Sequence, residues 1–401
     1  MDGGANGGWG AVRPRFHGAK RAMAPIVLKG LALSIVTLGV YRFWYQTDVR
    51  RFLWNNVEID GDALEYTGRG LELFIGFLIA LGVLIPLYGA AALLGIAAGA
   101  FGPLVQVGVS LVVVVLAQYA LYRARRYRLT RTIWRGVRLQ QTGSGWAYAG
   151  RSLGWLLVAV VTLGLAYPWM RASLERFKMR NTWYGDLQGA FDGTGGQLFR
   201  KGVLLWLFAV VVGLGSAAAF LGVHYAASQE DLAAGRTAAA ASFFTITFYL
   251  ALFVTFPLLN AIEFRWWANG CRVGPARAQC DLGLFAFLKT YLVFFGALLL
   301  LGLGVAAVGG AVFASGAFAD LIDFERAPSP IVIVLGLALY LGAALGASAL
   351  WQLIGARGLW RKSFESVAIL GLADLAAAQS AAPPANAFGE GVADALDFGG
   401  F

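Results

Sequence analysis

The sequence predicts an all-α polytopic membrane protein with six transmembrane helices, two re-entrant or interfacial segments and small cytoplasmic β-hairpin modules. Three observations predict it. Apolar runs close to the roughly 20 residues needed to span a bilayer recur along the chain. Lysine and arginine crowd into particular connections between those runs. One basic, aromatic stretch occurs more than once.

The first observation rests on composition. Of 401 residues, 59% are hydrophobic and 13% are charged, against about 25% charged in an ordinary soluble domain. Apolar segments lie at about 26–44, 71–93, 103–122, 149–169, 202–223, 239–262, 284–312 and 330–354. Inside a bilayer their backbone amides must be satisfied within the segment, which selects helix. No lumen-lining alternation suggests a barrel.

The second observation decides how many segments cross. If all eight cross, the basic residues between them divide 15 against 12, with the seven arginines of 123–148 on the minority face. If the first and fourth segments enter and leave on one side, the division becomes 25 against 2. Short cytoplasmic loops carry the excess of Lys and Arg, so charge favours six crossings with both termini cytoplasmic. The first segment agrees, because Lys29 and Arg42 leave 12 residues between them. The fourth is less decisive: 152–170 offers 19 residues, and eight crossings remain the alternative. The N-terminus has no small-residue cleavage pattern after its first apolar run, so the sequence predicts no removed signal peptide. The chain divides into a basic Gly-rich cytoplasmic N-terminus (1–25), a membrane domain (26–362) and a cytoplasmic tail (363–401), loosely ordered for most of its length.

The third observation is the repeat. VTLGVYRFW at 36–44 recurs as VTLGLAYPW at 161–169. At the same offset Arg51-Phe52 matches Arg176-Phe177, and Asn56 matches Asn181. A partial third copy pairs Phe52 with Tyr127, Gly61 with Gly136 and Gly68 with Gly143. The modules run 36–68, 127–143 and 161–193. In each, a basic amphipathic stretch suited to the interface precedes a short alternating one. In the first copy, Val57, Ile59, Leu64 and Tyr66 around Asp60-Gly61 read as a hairpin; irregular loops are the alternative.

The doubled TLG…W motif, the Arg-Phe…Asn stretch and the terminal GEGVADALDFG resemble the YjgN-like family of bacterial inner-membrane proteins, a domain of unknown function. The residues carrying the resemblance are Gly39, Trp44, Arg51, Phe52, Asn56, Gly61 and Gly68, then Gly164, Trp169, Arg176, Phe177, Asn181 and Gly193, with Gly389 to Gly399 in the tail. Val57 departs from a Thr expected after Asn56, and Tyr167-Pro168 stands where the first copy has Arg42-Phe43. The resemblance implies inner-membrane residence and supplies no reaction, substrate or catalytic residue.

The sequence carries no signature of an active site. H-E-x-x-H, a Walker loop and cysteines at metal spacing are all missing; Cys271 and Cys280 are nine apart. No enzyme activity, metal or cofactor is expected. The net charge of +10 is explained by topology rather than by nucleic acid. The expected partners are membrane lipids, through anionic headgroups on the cytoplasmic face, with a protein partner as a further possibility. Arg123, Arg125, Arg126, Arg128 and Arg131 with Trp134 are the candidates for anionic lipid or the interface, each cation being worth about 1 kcal/mol there. Charges at segment boundaries (Lys29, Arg42, Arg151, Lys201, Glu263 and Lys289) are further pointers. Two functions fit: transport of a small solute or lipid, or a membrane scaffold or assembly partner without catalysis.

Overall fold

The computed structural model describes residues 11–227, 234–314 and 330–377. Six helices are long and apolar enough to cross a membrane: Gly70–Ala97, Gly99–Thr130, Gly195–Gly222, Ser242–Gly270, Ala286–Ala314 and Pro330–Glu365. At about 1.5 Å per residue, even the shortest, at 28 residues, exceeds a hydrocarbon core of about 30 Å. At most 22% of the most apolar stretch of any of them is buried within the chain. These helices therefore offer apolar side chains on most faces, which suits a lipid solvent.

These spans fall in α3 (Gly70–Ala97), α4 (Gly102–Thr130), α7 (Gly195–Ala227), α8 (Ala234–Gly270), α9 (Ala286–Ala314) and α10 (Pro330–Leu350). A wider turn at Trp351–Ala356 continues α10 into α11 (Arg357–Glu365). The first and fourth apolar segments are not among the membrane-length helices. They are helical hairpins: α1 (Lys20–Val36) with α2 (Arg42–Asn55), and α5 (Gly145–Val161) with α6 (Tyr167–Arg180). Each helix packs chiefly on its neighbours in the chain, and α1 returns against α10, so the helices follow one another round a circuit.

The TLG motif builds both hairpin tips. Leu38 and Gly39 have φ of 50° and 90°, and Leu163 and Gly164 have 50° and 85°. Left-handed residues end a helix, and the following amide bonds back to the last turn: Gly39 N–H donates to Ser34 O at 2.6 Å, and Gly164 N–H to Ala159 O at 2.7 Å. Thr37 Oγ1 donates to Leu33 O and accepts from the Tyr41 amide. Thr162 does the same with Val158 and Ala166. A leucine at positive φ is strained, since its Cβ crowds the backbone. Both leucines are nevertheless kept, and they point outward, 95% and 85% exposed.

The strands lie at the other end of these hairpins. Four hairpins join helix to helix: β2–β4 (Val57–Ile59, Asp62–Ala63 and Glu65–Tyr66), β5–β6 (Thr132–Trp134 and Val137–Gln141), β7–β8 (Thr182–Tyr184 and Leu187–Phe191) and β9–β10 (Cys271–Val273 and Ala276–Cys280). The first turns at Asp60-Gly61, both at positive φ, as the second does at Arg135-Gly136. This is the geometry two-residue hairpins prefer.

The expectation of small β-hairpin modules is corrected by the way the strands join. β4 to β10 and the final strand β11 (Val367–Leu370) form one antiparallel eight-stranded sheet in chain order, curled into a half-barrel. An isolated hairpin is marginal and leaves open edges. Here every hairpin emerges at the same end of the helix circuit, so β6 meets β7 and β8 meets β9. The N-terminal segment links one end of this sheet to a second, three-stranded sheet that holds β2 and the strand Asp62–Ala63. Val12 exchanges two backbone hydrogen bonds with Ile369, and β1 (Arg15–Phe16) pairs with β2. The concave side is filled: Trp54, Val57, Tyr66, Trp134, Tyr184, Ala276, Trp360 and Leu372 belong to one core.

Two boundaries differ from expectation. Residues 11–25 belong to the sheet and α1. After 363, where the sequence predicts a short helix-like run ahead of a looser tail, the chain forms β11 and a helical turn whose Leu375 is buried in that core. Residues 378–401, with the Gly389–Gly399 match, lie outside the described residues.

Candidate functional site

The repeat-motif residues all serve the backbone. Asn56 Nδ2 donates to Phe52 O at 2.7 Å, and Asn181 Nδ2 to Phe177 O at 2.8 Å. Each thereby closes the last turn of its helix, while its own carbonyl accepts from the neighbouring strand: from His17 N–H in one copy and Thr142 N–H in the other. Arg51 donates to Gly68 O and Arg176 to Gly193 O, at 3.2 and 3.3 Å. Trp44 and Trp169 lie against Gly70 and Gly195, where an added Cβ would come 2.7 Å from each tryptophan Cα. The structure also contains a fourth copy, β9–β10, with the same three-residue strand, two-residue turn and five-residue strand as the second and third hairpins. That spacing was present in the sequence; its residues have drifted too far to be matched by identity.

The predicted lipid-facing arginines are mostly turned inward. Arg125 bonds Gln141 Oε1 at 2.7 Å and Thr182 Oγ1 at 3.0 Å. Arg131 pairs with Glu72 at 2.7 Å, with its side chain 10% exposed. Glu72 also accepts from Tyr127 OH. Arg123 lies beside the Tyr119 ring, and Arg126 and Arg128 are half-buried on the same helix end. Trp134 is buried against Tyr184. The basic run therefore ties α4 to the sheet.

What distinguishes the two re-entrant hairpins is where their sequences diverge. In the second, charges pair internally. Glu175 is 3% exposed and bridges Lys178, with Arg171 at 3.6 Å. Trp267 Nε1 donates to it at 3.1 Å. Arg171 also pairs with Glu263 of α8, which accepts from Tyr167 OH. Burial works to raise the Glu175 carboxyl, but Lys178 and Arg171 outweigh it and hold the group below its ordinary value. Burial pushes the Lys178 ammonium down, and it pushes the Cys271 thiol well up. Sequence reading flagged Glu263 and missed Glu175 and Lys178, because a charged residue in a basic stretch carries no mark of burial.

In the first hairpin the corresponding positions are Gln46, Arg50 and Leu53, and its cations are arranged differently. Ile26, Lys29 and Gly30 share one face of α1, while Asp48, Arg51, Phe52 and Asn55 share one face of α2. With Tyr41 and Asn56 they line a cavity of about 350 Å³. Gly30 permits the close approach of the helices, since an added Cβ would meet the Tyr45 ring at 2.0 Å. The second copy carries Gly154, Ser173 and Trp155 in place of Lys29, Asp48 and Gly30. Arg42, the counterpart of Tyr167, is exposed just past the tip and lies beside the Phe43 ring. Among the described residues neither Lys29 nor Arg42 forms an ion pair. No group of three metal-ligating side chains converges among those residues either.

Two comparisons bear on identity. The inner membrane protein YjgN of Escherichia coli O157:H7 is 28% identical over 123 residues, 31% of this chain and 29% of that protein, and YjgN of strain K12 matches to the same extent. The match thus spans under a third of those relatives. No solved structure matches. The family described as bacterial protein of unknown function (DUF898) matches residues 11–395. With its repeated hairpins, curled sheet and six membrane-length helices, the chain belongs to that family.

Proposed function

We propose that the protein resides in the bacterial inner membrane with its sheet in the cytoplasm, and that it moves an anionic lipid along its first re-entrant hairpin. The sheet end gathers the basic connections, which supports a cytoplasmic sheet by the positive-inside rule. Relatives named as inner membrane proteins support the compartment.

The observation that carries the lipid reading is the difference between the hairpins. An ionisable group at membrane depth is expensive unless paired or functional. Arg171, Glu175, Lys178 and Glu263 are paired; Lys29 and Arg42 are exposed cations on a hairpin whose tip is apolar. Such steps suit an anionic headgroup whose acyl chains stay in the bilayer. A conducting pore through the sheet has no support, because the half-barrel is packed with side chains. A scaffold role is less well supported: among the described residues no large exposed apolar side chain lies on a strand. The reading involves no covalent step.

Reconstitution tests it. Purified protein in vesicles containing a fluorescent phosphatidylglycerol should speed its exchange between leaflets over protein-free vesicles, and Arg42→Leu should remove most of that gain. Equal rates with and without the wild-type protein would refute the proposal.

A further inference from the structure

We infer that the cavity between α1 and α2 is a binding site for the phosphate of an anionic phospholipid headgroup, present in the first repeat and closed in the second. Three observations carry it. The first is chemistry. Lys29 and Arg51 contribute two cations against the single carboxylate of Asp48, while Asn55 and Asn56 complete the polar lining, Asn56 with one amide hydrogen committed to Phe52 O. Asp48 stands 3.5 Å from Arg51, with both side chains about half-exposed, so the pair does not saturate the site. Lys29 forms no ion pair among the described residues. Phosphate recognition calls for this combination of guanidinium and ammonium.

The second observation is placement. Lys29 stands seven residues before Val36, the last residue of α1, and Asp48 six after Arg42, the first of α2, or about 9–11 Å along a helix. Half of the hydrocarbon core is about 15 Å. The cavity therefore lies between the apolar tip and the headgroups, within reach of a phosphate through the long stems of Lys29 and Arg51. Ile35 and Val36 of α1 are exposed between the cavity and the tip, where acyl chains would run. At about 350 Å³, the cavity falls in the range of small-molecule sites, about 300–1,000 Å³.

The third observation is an internal control. The second hairpin has the same tip, the same Arg–Gly carbonyl bond and the same Asn cap. Yet Gly154 and Ser173 replace the ionisable pair, Trp155 replaces Gly30, and Arg151 lies over the Phe177 ring. The fold does not require Lys29 or Asp48, so their presence in one copy calls for another reason.

The inference rests on the lipid reading above for the kind of ligand, not for its movement. Binding is therefore measured without transport, on the full chain in a neutral detergent. Phosphatidylglycerol should bind and raise the unfolding temperature, while phosphatidylcholine and free glycerol phosphate should not. Lys29→Met should weaken phosphatidylglycerol binding about five-fold, the worth of one cation at an anionic surface. Asp48→Asn should tighten it, and Arg180→Met, at the second-copy position of Asn55, should leave it unchanged. The opposite signs separate a site effect from misfolding. Equal response to glycerol phosphate would mean a soluble phosphate ligand and would overturn the lipid assignment. Wild-type affinity in Lys29→Met, or no response to phosphatidylglycerol, would overturn the site. Intact binding without leaflet exchange would spare the site and remove only the transport reading.

Discussion

Replacing Glu175 with glutamine probes the buried ion network of the second hairpin. The carboxylate is 3% exposed and Lys178 15%. The new amide oxygen could still accept from Trp267 Nε1, which now donates to the carboxylate Oε2 at 3.1 Å. Arg171 would keep Glu263. Lys178 would lose its counter-charge in a site it cannot leave cheaply. Removing one partner of a buried pair costs about 3–5 kcal/mol, because the other charge stays desolvated. Lys178→Met should cost less, since Glu175 retains Arg171 and Trp267. The double variant should be more stable than Glu175→Gln alone, with a coupling of about 0.5–3 kcal/mol. The assay is reversible unfolding in mixed dodecyl sulfate and maltoside micelles, followed by tryptophan fluorescence. Additive costs, or a Glu175→Gln variant within about 0.5 kcal/mol of wild type, would show that the network does not behave as a desolvated unit.

Three further outcomes are expected. Stability should fall with acid: a carboxyl held below its ordinary 4.5 stabilises fully above that value and loses its contribution as pH drops through the lowered one. Glu175→Gln should flatten that limb in a pH series of unfolding midpoints. Gly70→Ala and Gly195→Ala should each destabilise by about 1–3 kcal/mol, because the new Cβ meets tryptophan backbone. Gly150→Ala on α5, where nothing lies within 4 Å, should be neutral or stabilising by up to about 1 kcal/mol, and thermal shifts of the three variants separate the cases. Cysteines introduced at Asp60, Arg135 and Leu187 should all be labelled from one side of the membrane, and one at Phe101 from the other. Split labelling among the first three would break the six-crossing topology.

The sequence determined the solvent and the count. Uninterrupted apolar length and lopsided loop charge respond to the bilayer, so both are legible residue by residue and favour six crossings over eight; the structure has six membrane-length helices. It also determined local turns: Thr-Leu-Gly ends a helix and Asp-Gly turns a hairpin in this chain because backbone sterics are local. Tertiary structure decided the rest. Whether the hairpins join depends on where the helices bring them, and that placement made an eight-stranded sheet, with the N-terminal segment linking it to a three-stranded one. Burial of a charge is likewise a property of its surroundings. Arg125, Arg131 and Glu175 look like surface residues in the sequence but are held inside by partners tens of residues away. Lys29, on a helix of similar apolar character, is left exposed beside a cavity. The motif that repeats proved to be architecture. The candidate site lies where the copies differ, and only the shared geometry of the two hairpins gives that difference meaning.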